Sequence, residues 1–537
     1  MARCCLLLVL AIVGGGLAAA GAHALSGPPG ATGPQDEWAA VREHVTGEMA
    51  RLQVPGASLA VVRDGDVVFA EGFGVADARG RAVEADTPFA IASVSKWITA
   101  IAVLQLVDAG MVDLDAPVSR YLTEFRDRAG DVTILDLLTH TSGWSTADGL
   151  RNWADAGDGA DALRRNARRI ARTAHAADPR GYEYSNANYD VLGEVVARVS
   201  GSSYEAHVRR AIFEPLGMDR SFASWDAARA AGMAEGHYRF FGQPTEHRVP
   251  FVAGSLPSAF LASSADDLAR LAIVMLEDGH FGGVQLLSPA TTSLMERPLV
   301  RRGSSRVAQA MGLRVEAAPR GPMTDGPGRV EVMLRRSGDL VTYASDVVLL
   351  PADRVGVVVL MNSNDALAPA RYHRIALDVA NLVTGRAAPA PSAPNPLANL
   401  GRPLLLFVLV LQIAIATHPR HGRRTVARAH DWLPTILGGV TLAAAVLAIA
   451  VTPSVPPLAA IRLAPDAALV VAIVTILGIP AVEPRGLRRR TRILEDDAPA
   501  PAPVRHHGRR PADDDRPERT HPAVEPAAEQ GLRLHGG

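Results

Sequence analysis

The chain is short of cysteine: it has two, Cys4 and Cys5, both at the start of the sequence. This excludes a disulfide framework and a cysteine zinc site. An excess of one charge is also absent, because 55 basic residues face 56 acidic ones for a formal net charge of -1. That balance excludes the uniformly basic surface of a dedicated nucleic-acid-binding protein. The sequence also contains neither the G-x-S-x-G motif of α/β-hydrolases nor the H-E-x-x-H motif of zinc hydrolases. We therefore expect no metal, no cofactor and no nucleic-acid partner.

Lysine is scarcer still, since Lys96 is the only lysine among the 55 basic residues. Where any cation would serve, this chain uses arginine, which stays protonated at all working pH values. A position that keeps lysine is therefore expected to need a group that can lose its proton when buried. Hydrophobic residues, by contrast, make up 48% of the 537 residues. That fraction is sufficient for a sizeable core and too high for a largely disordered chain.

The first residues, 1–24, have the pattern of a secretory signal peptide. Arg3 gives a basic start, residues 6–20 are apolar, and Ala-His-Ala at 22–24 is a small-x-small cleavage site. The competing interpretation is a retained anchor helix, which three consecutive glycines at 14–16 disfavour. Export would place the main domain outside the cytoplasm.

The composition changes again after the main domain. A Pro/Ala-rich linker at 387–399 leads into a region, 400–482, whose three apolar segments we interpret as transmembrane helices. The segments are 403–417, 432–452 and 467–482. The remaining residues, 483–537, are rich in Pro, Asp, Arg and His, and we expect a disordered tail.

Arginine distribution predicts the orientation of these segments. Clusters of arginine follow the first and the third segment, whereas the loop between the second and third contains only Arg462. By the positive-inside rule both clusters lie in the cytoplasm, which requires an odd number of crossings when the main domain is exported. We therefore expect a multi-pass protein of the cell membrane with its main domain outside and its tail inside. The alternative is a second soluble domain in which the three segments are buried core helices.

The main domain, 36–386, shows no clear internal boundary or repeat. A β-hairpin is predicted over 58–69 with Asp64-Gly65 at its turn, and further strands are predicted near the end of the domain. Those strands are 329–334, 343–350 and 355–361, and the helical segments are 189–199, 204–212, 265–276 and 369–383. Strands at both ends with helices between them predict an α+β fold of two lobes, an antiparallel sheet flanked by helices and a helical lobe. A cleft between the lobes is the expected place for a site.

Lys96 lies near the start of a helix that is apolar on every face from residue 97 to residue 107. Such a helix is expected to be buried all round. Ser93 and Lys96 are three residues apart, so they share one face within reach of each other's side chains. Burial would lower the pKa of the Lys96 ammonium, and the free amine could then accept the proton of the serine hydroxyl. The N–H groups at the helix start would supply part of an oxyanion hole. The alternative is a surface lysine that only extends its amine into solvent, because S-x-x-K alone is a weak motif.

A second motif, Tyr184-Ser-Asn186, lies in a loop before the next predicted helix. Together with Ser93-x-x-Lys96 it resembles the serine β-lactamase and penicillin-binding-protein family, most closely its class C and esterase branch. By that resemblance Ser93 is the acylated nucleophile, Lys96 and Tyr184 share the acid/base work, and Asn186 positions Lys96 and the substrate amide. The resemblance covers residues 36–386 and implies the β-lactamase/transpeptidase-like fold. Residues 138–143 and 212–218 also look like that family and are interpreted as packing elements, so His140 receives no catalytic role.

The third motif departs from the family pattern. The family has Lys-Thr-Gly or His-x-Gly on a strand that lines the cleft, and the matching place here reads Arg336-Ser337-Gly338-Asp339. The resemblance implies that these four residues bind substrate, with a second oxyanion donor from the Asp339 N–H. Arg336 can clamp a carboxylate with two hydrogen bonds, but it cannot relay a proton. The alternative explanation for Arg336 is drift from lysine to arginine in an arginine-rich chain.

These observations favour a membrane-anchored extracytoplasmic serine hydrolase that forms an acyl-enzyme. The resemblance implies an amide or ester substrate: a D-alanyl peptide, a β-lactam-like compound or a small ester. The alternative is a catalytically weak or inactive wall-binding or signalling protein that has kept the fold. Loss of a core catalytic residue would favour that alternative, but all four catalytic candidates are present.

Overall fold

The structure is a computed structural model of the chain. It describes residues 36–126, 132–151, 159–173, 181–240, 243–301, 307–317, 332–365 and 369–386. All of them belong to one unit of the chain, Met1–Pro480. The segments predicted at 1–24, 387–399, 400–482 and 483–537 lie outside these ranges. Inside them, no helix combines the length and the apolar character that crossing a bilayer requires.

The described strands belong mostly to one antiparallel sheet. In chain order they are β1 (Gly56–Arg63), β2 (Asp66–Gly74), β3 (Phe89–Ala90), β4 (His237–Phe240), β5 (Gln243–Glu246), β6 (Ala262–Ser263), β7 (His280–Phe281), β8 (Val284–Gln285), β9 (Val300–Arg301), β10 (Ala308–Gln309), β11 (Arg314–Ala317), β12 (Val332–Leu340), β13 (Tyr343–Leu350), β14 (Val355–Met361) and β15 (Ser363–Asn364). The main sheet has the order β2-β1-β14-β13-β12-β11-β10-β9. The early hairpin therefore pairs with the late strands, which confirms the prediction that both ends of the domain build one sheet.

Local sequence explains the central strands. The β1–β2 hairpin turns at Asp64 and Gly65, which have positive φ angles of 52° and 85° and so suit a tight hairpin turn. Successive side chains of a strand point to opposite faces, so along β1 Val61 enters one core cluster and Val62 the other. Because helices cover both faces, β14 can be buried and apolar along its whole length, Val355–Met361.

The described helices form the outer layers and the second lobe. They are α1 (Asp36–Leu52), α2 (Ser95–Asp108), α3 (Ile134–Thr139), α4 (Thr146–Leu150), α5 (Ala162–Ala171), α6 (Asn186–Ser200), α7 (Tyr204–Val208), α8 (Trp225–Ala230), α9 (Ala265–Leu276), α10 (Pro289–Met295) and α11 (Arg374–Val383). Helices α1 and α11 cover one face of the sheet and α9 covers the other. Helix α6 packs against α2, α3, α4 and α5 at the centre of the helical lobe. The predicted α+β, two-lobed architecture is confirmed.

Helix α2 is buried around its circumference from Ser95 to Leu104, as its uninterrupted apolar sequence predicted. Two predicted helices are shorter than expected. The 204–212 segment is α-helical only over α7 and continues as a π-helical turn, Arg209–Phe213, where Pro215 prevents further extension. The 369–383 segment becomes α-helical only at Arg374, after a 3₁₀ turn at Pro369–Arg371.

Candidate active site

Ser93 lies in a single 3₁₀ turn, Ala92–Val94, that leads directly into α2. Its neighbour Ala92 has a φ of 47°, a left-handed conformation that is uncommon for a residue with a side chain. Such conformations cost about 1–3 kcal/mol and cluster at functional sites. Ser93 is half-buried and lines the cavity described below, so a substrate can reach it.

Gly338 allows strand β12 to approach Ser93 closely. A Cβ at this position would stand 2.9 Å from the Ser93 backbone nitrogen, 2.5 Å from the Ile91 carbonyl oxygen and 2.4 Å from Ser345 Oγ. These distances are too short for any side chain. Glycine is therefore required where the strand meets the turn that carries Ser93.

Lys96 is fully buried beneath Ser93 and donates three hydrogen bonds. Its Nζ lies 3.1 Å from Ser93 Oγ, 2.7 Å from Asn186 Oδ1 and 2.7 Å from the Ser258 carbonyl oxygen. Burial lowers the pKa of Lys96 to about 8; the nearby Tyr184 opposes that shift and the Arg336 cation adds to it. A free amine is therefore accessible near neutral pH, as the sequence predicted for the only lysine.

Tyr184 stands on the other side of the serine hydroxyl. Its phenol oxygen lies 2.8 Å from Ser93 Oγ, and the Lys96 ammonium lies 4.9 Å from the centre of its ring. Burial alone would raise the pKa of Tyr184. The positive charges of Lys96 and Arg336, together with the hydrogen bond between Ser93 and the phenol, outweigh burial and lower the pKa to about 8.

Arg336 takes part in this cluster. Its Nε donates to the Ser93 carbonyl oxygen at 2.8 Å, and a terminal nitrogen donates to the Tyr184 phenol oxygen at 3.0 Å. The guanidinium carbon lies 5.6 Å from the centre of the Tyr184 ring. Arg336 therefore acts on the phenol as a fixed cation, while its contact with a substrate stays a prediction.

A cavity of about 500 Å³ opens over the cluster. Of the predicted binding residues, Arg336, Ser337 and Asp339 line it, whereas Gly338 contacts the Ser93 turn. Strand β11 pairs with β12 only as far as Arg335, so the edge of β12 beyond that residue is free of a β11 partner. This is the edge on which the Asp339 N–H was predicted to serve as a second oxyanion donor.

Three further side chains contact this wall of the cavity. Arg314 donates to Ser337 Oγ. The Asp339 carboxylate accepts hydrogen bonds from His373 Nε2 at 3.0 Å and from Asn364 Nδ2 at 3.0 Å. Burial opposes ionisation of Asp339, but those partners hold its pKa below the usual range.

Sequence reasoning missed three groups of this site. The Ser258 carbonyl that accepts from Lys96 lies in a π-helical turn, Leu256–Phe260, and has no motif. Asp190 is fully buried one helical turn after Asn186; burial raises its pKa to about 7 against hydrogen bonds and the Lys96 charge. His140 was interpreted as packing, which its contact with Tyr184, 4.6 Å between ring centres, does not contradict; its place beside Tyr184 was not predicted. The family-like stretch 138–143 was the available signal for His140.

The described residues hold no group of three or more His, Cys, Asp or Glu side chains arranged to bind a metal ion.

Comparison with known sequences points to one family. The sequence model described as Beta-lactamase matches residues 41–381. Esterase EstB of Burkholderia gladioli is 42% identical over 193 residues, which are 33% of this chain and 49% of the esterase. Penicillin-binding protein 4 of Amycolatopsis lactamdurans is 34% identical over 255 residues, or 45% of this chain and 65% of that protein. The chain thus spans about half the length of the esterase and less than two thirds of the penicillin-binding protein.

Two more distant relatives are matched over longer regions. Protein Flp of Staphylococcus aureus (strain MRSA252) is 25% identical over 412 residues, 74% of this chain and 77% of that protein. Among solved structures, the octameric penicillin-binding protein homologue from Pyrococcus abyssi is similar with a TM-score of 0.56 at 26% identity. That similarity covers 65% of this chain and 78% of the other.

The family match extends from α1 to α11 and includes every residue of the candidate site. It covers well over half of the chain, and the sheet, the helical lobe and the solved relative agree with it. The resemblance noted in the motifs is therefore confirmed: the chain belongs to the Beta-lactamase family of serine hydrolases.

Proposed function

We propose that residues 36–386 form an extracytoplasmic serine hydrolase that acts through an acyl-enzyme on Ser93. One observation carries this proposal: Ser93 Oγ lies 2.8 Å from the Tyr184 phenol and 3.1 Å from the Lys96 amine. Each of these groups has a pKa lowered to about 8. A proton acceptor with a pKa near the working pH gives efficient general-base catalysis.

In the proposed acylation, the Ser93 hydroxyl proton passes to the Lys96–Tyr184 pair as Oγ bonds to the substrate carbonyl carbon. The carbonyl π electrons move onto oxygen, which faces the N–H groups of Ser93 and Asp339. The tetrahedral intermediate then breaks its bond to the leaving alcohol or amine, which takes the proton from the pair. A water molecule repeats the sequence on the acyl-enzyme, releases the acid and restores the Ser93 hydroxyl. Asn186 contributes by holding the Lys96 amine.

We propose a small ester or a D-alanyl peptide as substrate, in preference to a β-lactam. An anchored domain that faces the cell wall meets peptides and esters. The name of one relative, an esterase, supports the ester. A cavity of about 500 Å³ with several polar side chains suits a molecule of that size.

Covalent labelling tests the nucleophile. The full-length protein in detergent is treated with a fluorophosphonate or a fluorescent penicillin, and the adduct is mapped by mass spectrometry. We expect one adduct, on Ser93, which disappears in Ser93→Ala. Ser95→Ala is the matched control, because the neighbouring Ser95 hydroxyl is buried and accepts from the Leu261 N–H; it should label like the parent. An adduct on another serine contradicts the proposal.

A substrate panel then separates the activities. The ratio kcat/KM is compared for a D-Ala-D-Ala peptide, nitrocefin and p-nitrophenyl acetate, with Ser93→Ala as the blank. We expect the peptide or the acetate ester to exceed nitrocefin. A clear preference for nitrocefin would instead assign the protein as a β-lactamase.

We also propose that three helices in 400–482 anchor this domain, with the tail in the cytoplasm. The support is the sequence: three apolar segments and arginine clusters after the first and the third. Reporters that are active only in the cytoplasm are fused after Arg424, Pro456 and Arg492. The expected readings are on, off and on, and any other pattern contradicts this topology.

A further inference from the structure

His140 occupies an unusual backbone position beside the candidate site. It caps the C-terminal end of α3, directly after Thr139, and has left-handed angles, with φ 61° and ψ 39°. That conformation is disfavoured for residues with a side chain, although histidine, asparagine and aspartate tolerate it better than most. Its ring is fully buried and lies outside the lining of the cavity.

Both chain neighbours of Tyr184 are hydrogen-bonded to His140. The Glu183 N–H donates to the His140 carbonyl oxygen at 2.9 Å, and the Ser185 N–H donates to His140 Nδ1 at 3.2 Å. Between these two contacts the Tyr184 ring lies against the imidazole, with 4.6 Å between ring centres and a tilt of 41°. His140 thus contacts three consecutive residues of this loop: Glu183, Tyr184 and Ser185.

These contacts fix the protonation of the imidazole. A backbone N–H can only donate, so Nδ1 must keep its lone pair and the ring proton must be on Nε2. The Asn188 amide nitrogen also lies 3.1 Å from Nδ1. Its orientation follows from Ser142, whose hydroxyl donates to Asn188 Oδ1 at 2.5 Å, so the NH₂ group faces the imidazole.

The neutral form also suits the electrostatics of the site. Burial, followed by the Arg336 and Lys96 cations, lowers the pKa of His140 well below its ordinary value. A charged imidazole would repel both cations around Tyr184. Nε2 has no hydrogen-bond partner among the described residues, which is unfavourable for a buried donor. Simple space filling would be achieved better by an apolar side chain, so the useful atom of this ring is Nδ1.

We infer that His140 is a positioning residue of the proposed reaction: its Nδ1 acceptor and its ring hold Tyr184 against Ser93. This inference rests on the proposed function, because the positioned group is the proposed acid/base. His140 itself touches neither the substrate cavity nor Ser93. Its loss should therefore slow acylation and leave substrate affinity nearly unchanged.

The test uses two substitutions that both tolerate the left-handed backbone, His140→Asn and His140→Gly. Asparagine keeps a side-chain acceptor near the place of Nδ1, whereas glycine removes it. In the full-length protein we expect His140→Gly to slow acylation at least about tenfold, since misplaced catalytic groups lose rate steeply. We expect His140→Asn to recover part of that loss, and KM for p-nitrophenyl acetate to stay within a few-fold of the parent.

The amplitude of labelling separates positioning from folding. Loss of amplitude with an unchanged rate constant means fewer folded molecules, and it would overturn the inference. Equal rate constants for Asn and Gly would also overturn it, because the acceptor would then be irrelevant. If His140→Gly fails to fold, Ser142→Ala replaces it. That variant frees the Asn188 amide to rotate and should slow acylation a few-fold, and an unchanged rate would count against the inference.

A second readout does not depend on catalysis. The tyrosinate absorbance of the parent is titrated with pH, and the same titration of Tyr184→Phe is subtracted from it to give the pKa of Tyr184. The charged neighbours of Tyr184 are Lys96 and Arg336. We expect this pKa to rise toward its ordinary value in His140→Gly as the phenol leaves the two cations, and to rise less in His140→Asn. If Ser93 is never labelled in the parent, the proposed function fails. The Tyr184 titration still decides the role of His140, because an unchanged pKa in both variants contradicts it.

Discussion

Replacement of Lys96 by arginine separates a proton acceptor from a fixed cation. Among the described residues, the Nζ atom of Lys96 donates to three neutral oxygens, on Ser93, Asn186 and Ser258, and to no carboxylate. None of these three acceptors carries a negative charge that Lys96 would neutralise. Arginine occupies every other Lys/Arg position of the chain. Lys96→Arg therefore keeps the positive charge at position 96 and removes only the ability to lose a proton.

The expected magnitude follows from the pKa values. Burial lowers the pKa of Lys96 to about 8, so around pH 8 about half of the molecules carry the free amine. Arginine has a pKa above about 12, which leaves less than about one molecule in 10⁴ with a free base at that pH. A positioned base contributes about 10²- to 10⁴-fold, or about 3 to 5 kcal/mol of barrier. We expect Lys96→Arg to slow acylation of Ser93 at least about 100-fold.

The assay measures acylation rate constants and thermal midpoints on the same preparations, because a guanidinium is larger than the buried ammonium. Lys96→Met is the matched variant that removes both the base and the charge. If Lys96 accepts the proton, Arg and Met should be similarly slow. If folded Lys96→Arg acylates within a few-fold of the parent, the general-base assignment of Lys96 is refuted. Arg336→Lys is the contrasting change; it keeps a cation near Tyr184, and we expect it to retain or raise activity.

Three further outcomes are expected. Gly338→Ala should slow acylation at least about 100-fold and destabilise the fold by about 1–3 kcal/mol, because its Cβ would stand 2.9 Å from the Ser93 nitrogen. The control is Gly356→Ala, whose Cβ would make no contact below 3.3 Å and should have little effect. Acylation rates and thermal midpoints of both variants test this. Acylation of the parent should rise with pH through about 8 as the buried pair loses a proton, and Tyr184→Phe should shift or abolish that rise in a pH–rate profile. Asp190→Asn removes a negative charge that raises the pKa of Lys96, so the rise of the acylation rate should move to lower pH. The control is Asp267→Asn, because Asp267 is a remote buried carboxyl whose pKa burial raises to about 6. That variant should leave the pH of the rise unchanged.

The sequence predicted those parts of the fold in which local pattern and tertiary role agree. The β1–β2 hairpin combines β-branched runs with a turn that needs positive φ angles, and α2 is apolar on every face because it is buried on every face. It did not predict α1, although Val41, Val45 and Met49 place its apolar stripe against the sheet. It also missed two-residue strands such as β9 and β10, which are too short to show a period and form only because a neighbouring strand is in place.

The same distinction applies to the site. Ser93 and Lys96 are separated by one helical turn, and Tyr184 and Asn186 by one residue, so each pair is visible in the sequence. The contact between the two pairs is not visible in the sequence, since Ser93 and Tyr184 are 91 positions apart. The approach of β12 to the Ser93 turn and the Ser258 carbonyl beneath Lys96 depend on packing between the lobes. Backbone acceptors carry no side-chain signature, so no motif search finds them.

Arg336 differs from the lysine or histidine of the family motif in a way that simplifies the acid/base chemistry. Its guanidinium donates to the Tyr184 phenol at 3.0 Å, and its positive charge lowers the pKa of that phenol. His140 keeps its Nδ1 lone pair for the Ser185 N–H and stays neutral. Around Ser93 this leaves Lys96 and Tyr184 as the two groups that can exchange a proton. Burial lowers the pKa of Lys96 to about 8, and the neighbouring cations lower that of Tyr184 to about 8. The acylation profile should therefore show one limb near that pH, and a second limb would mean that another group takes part.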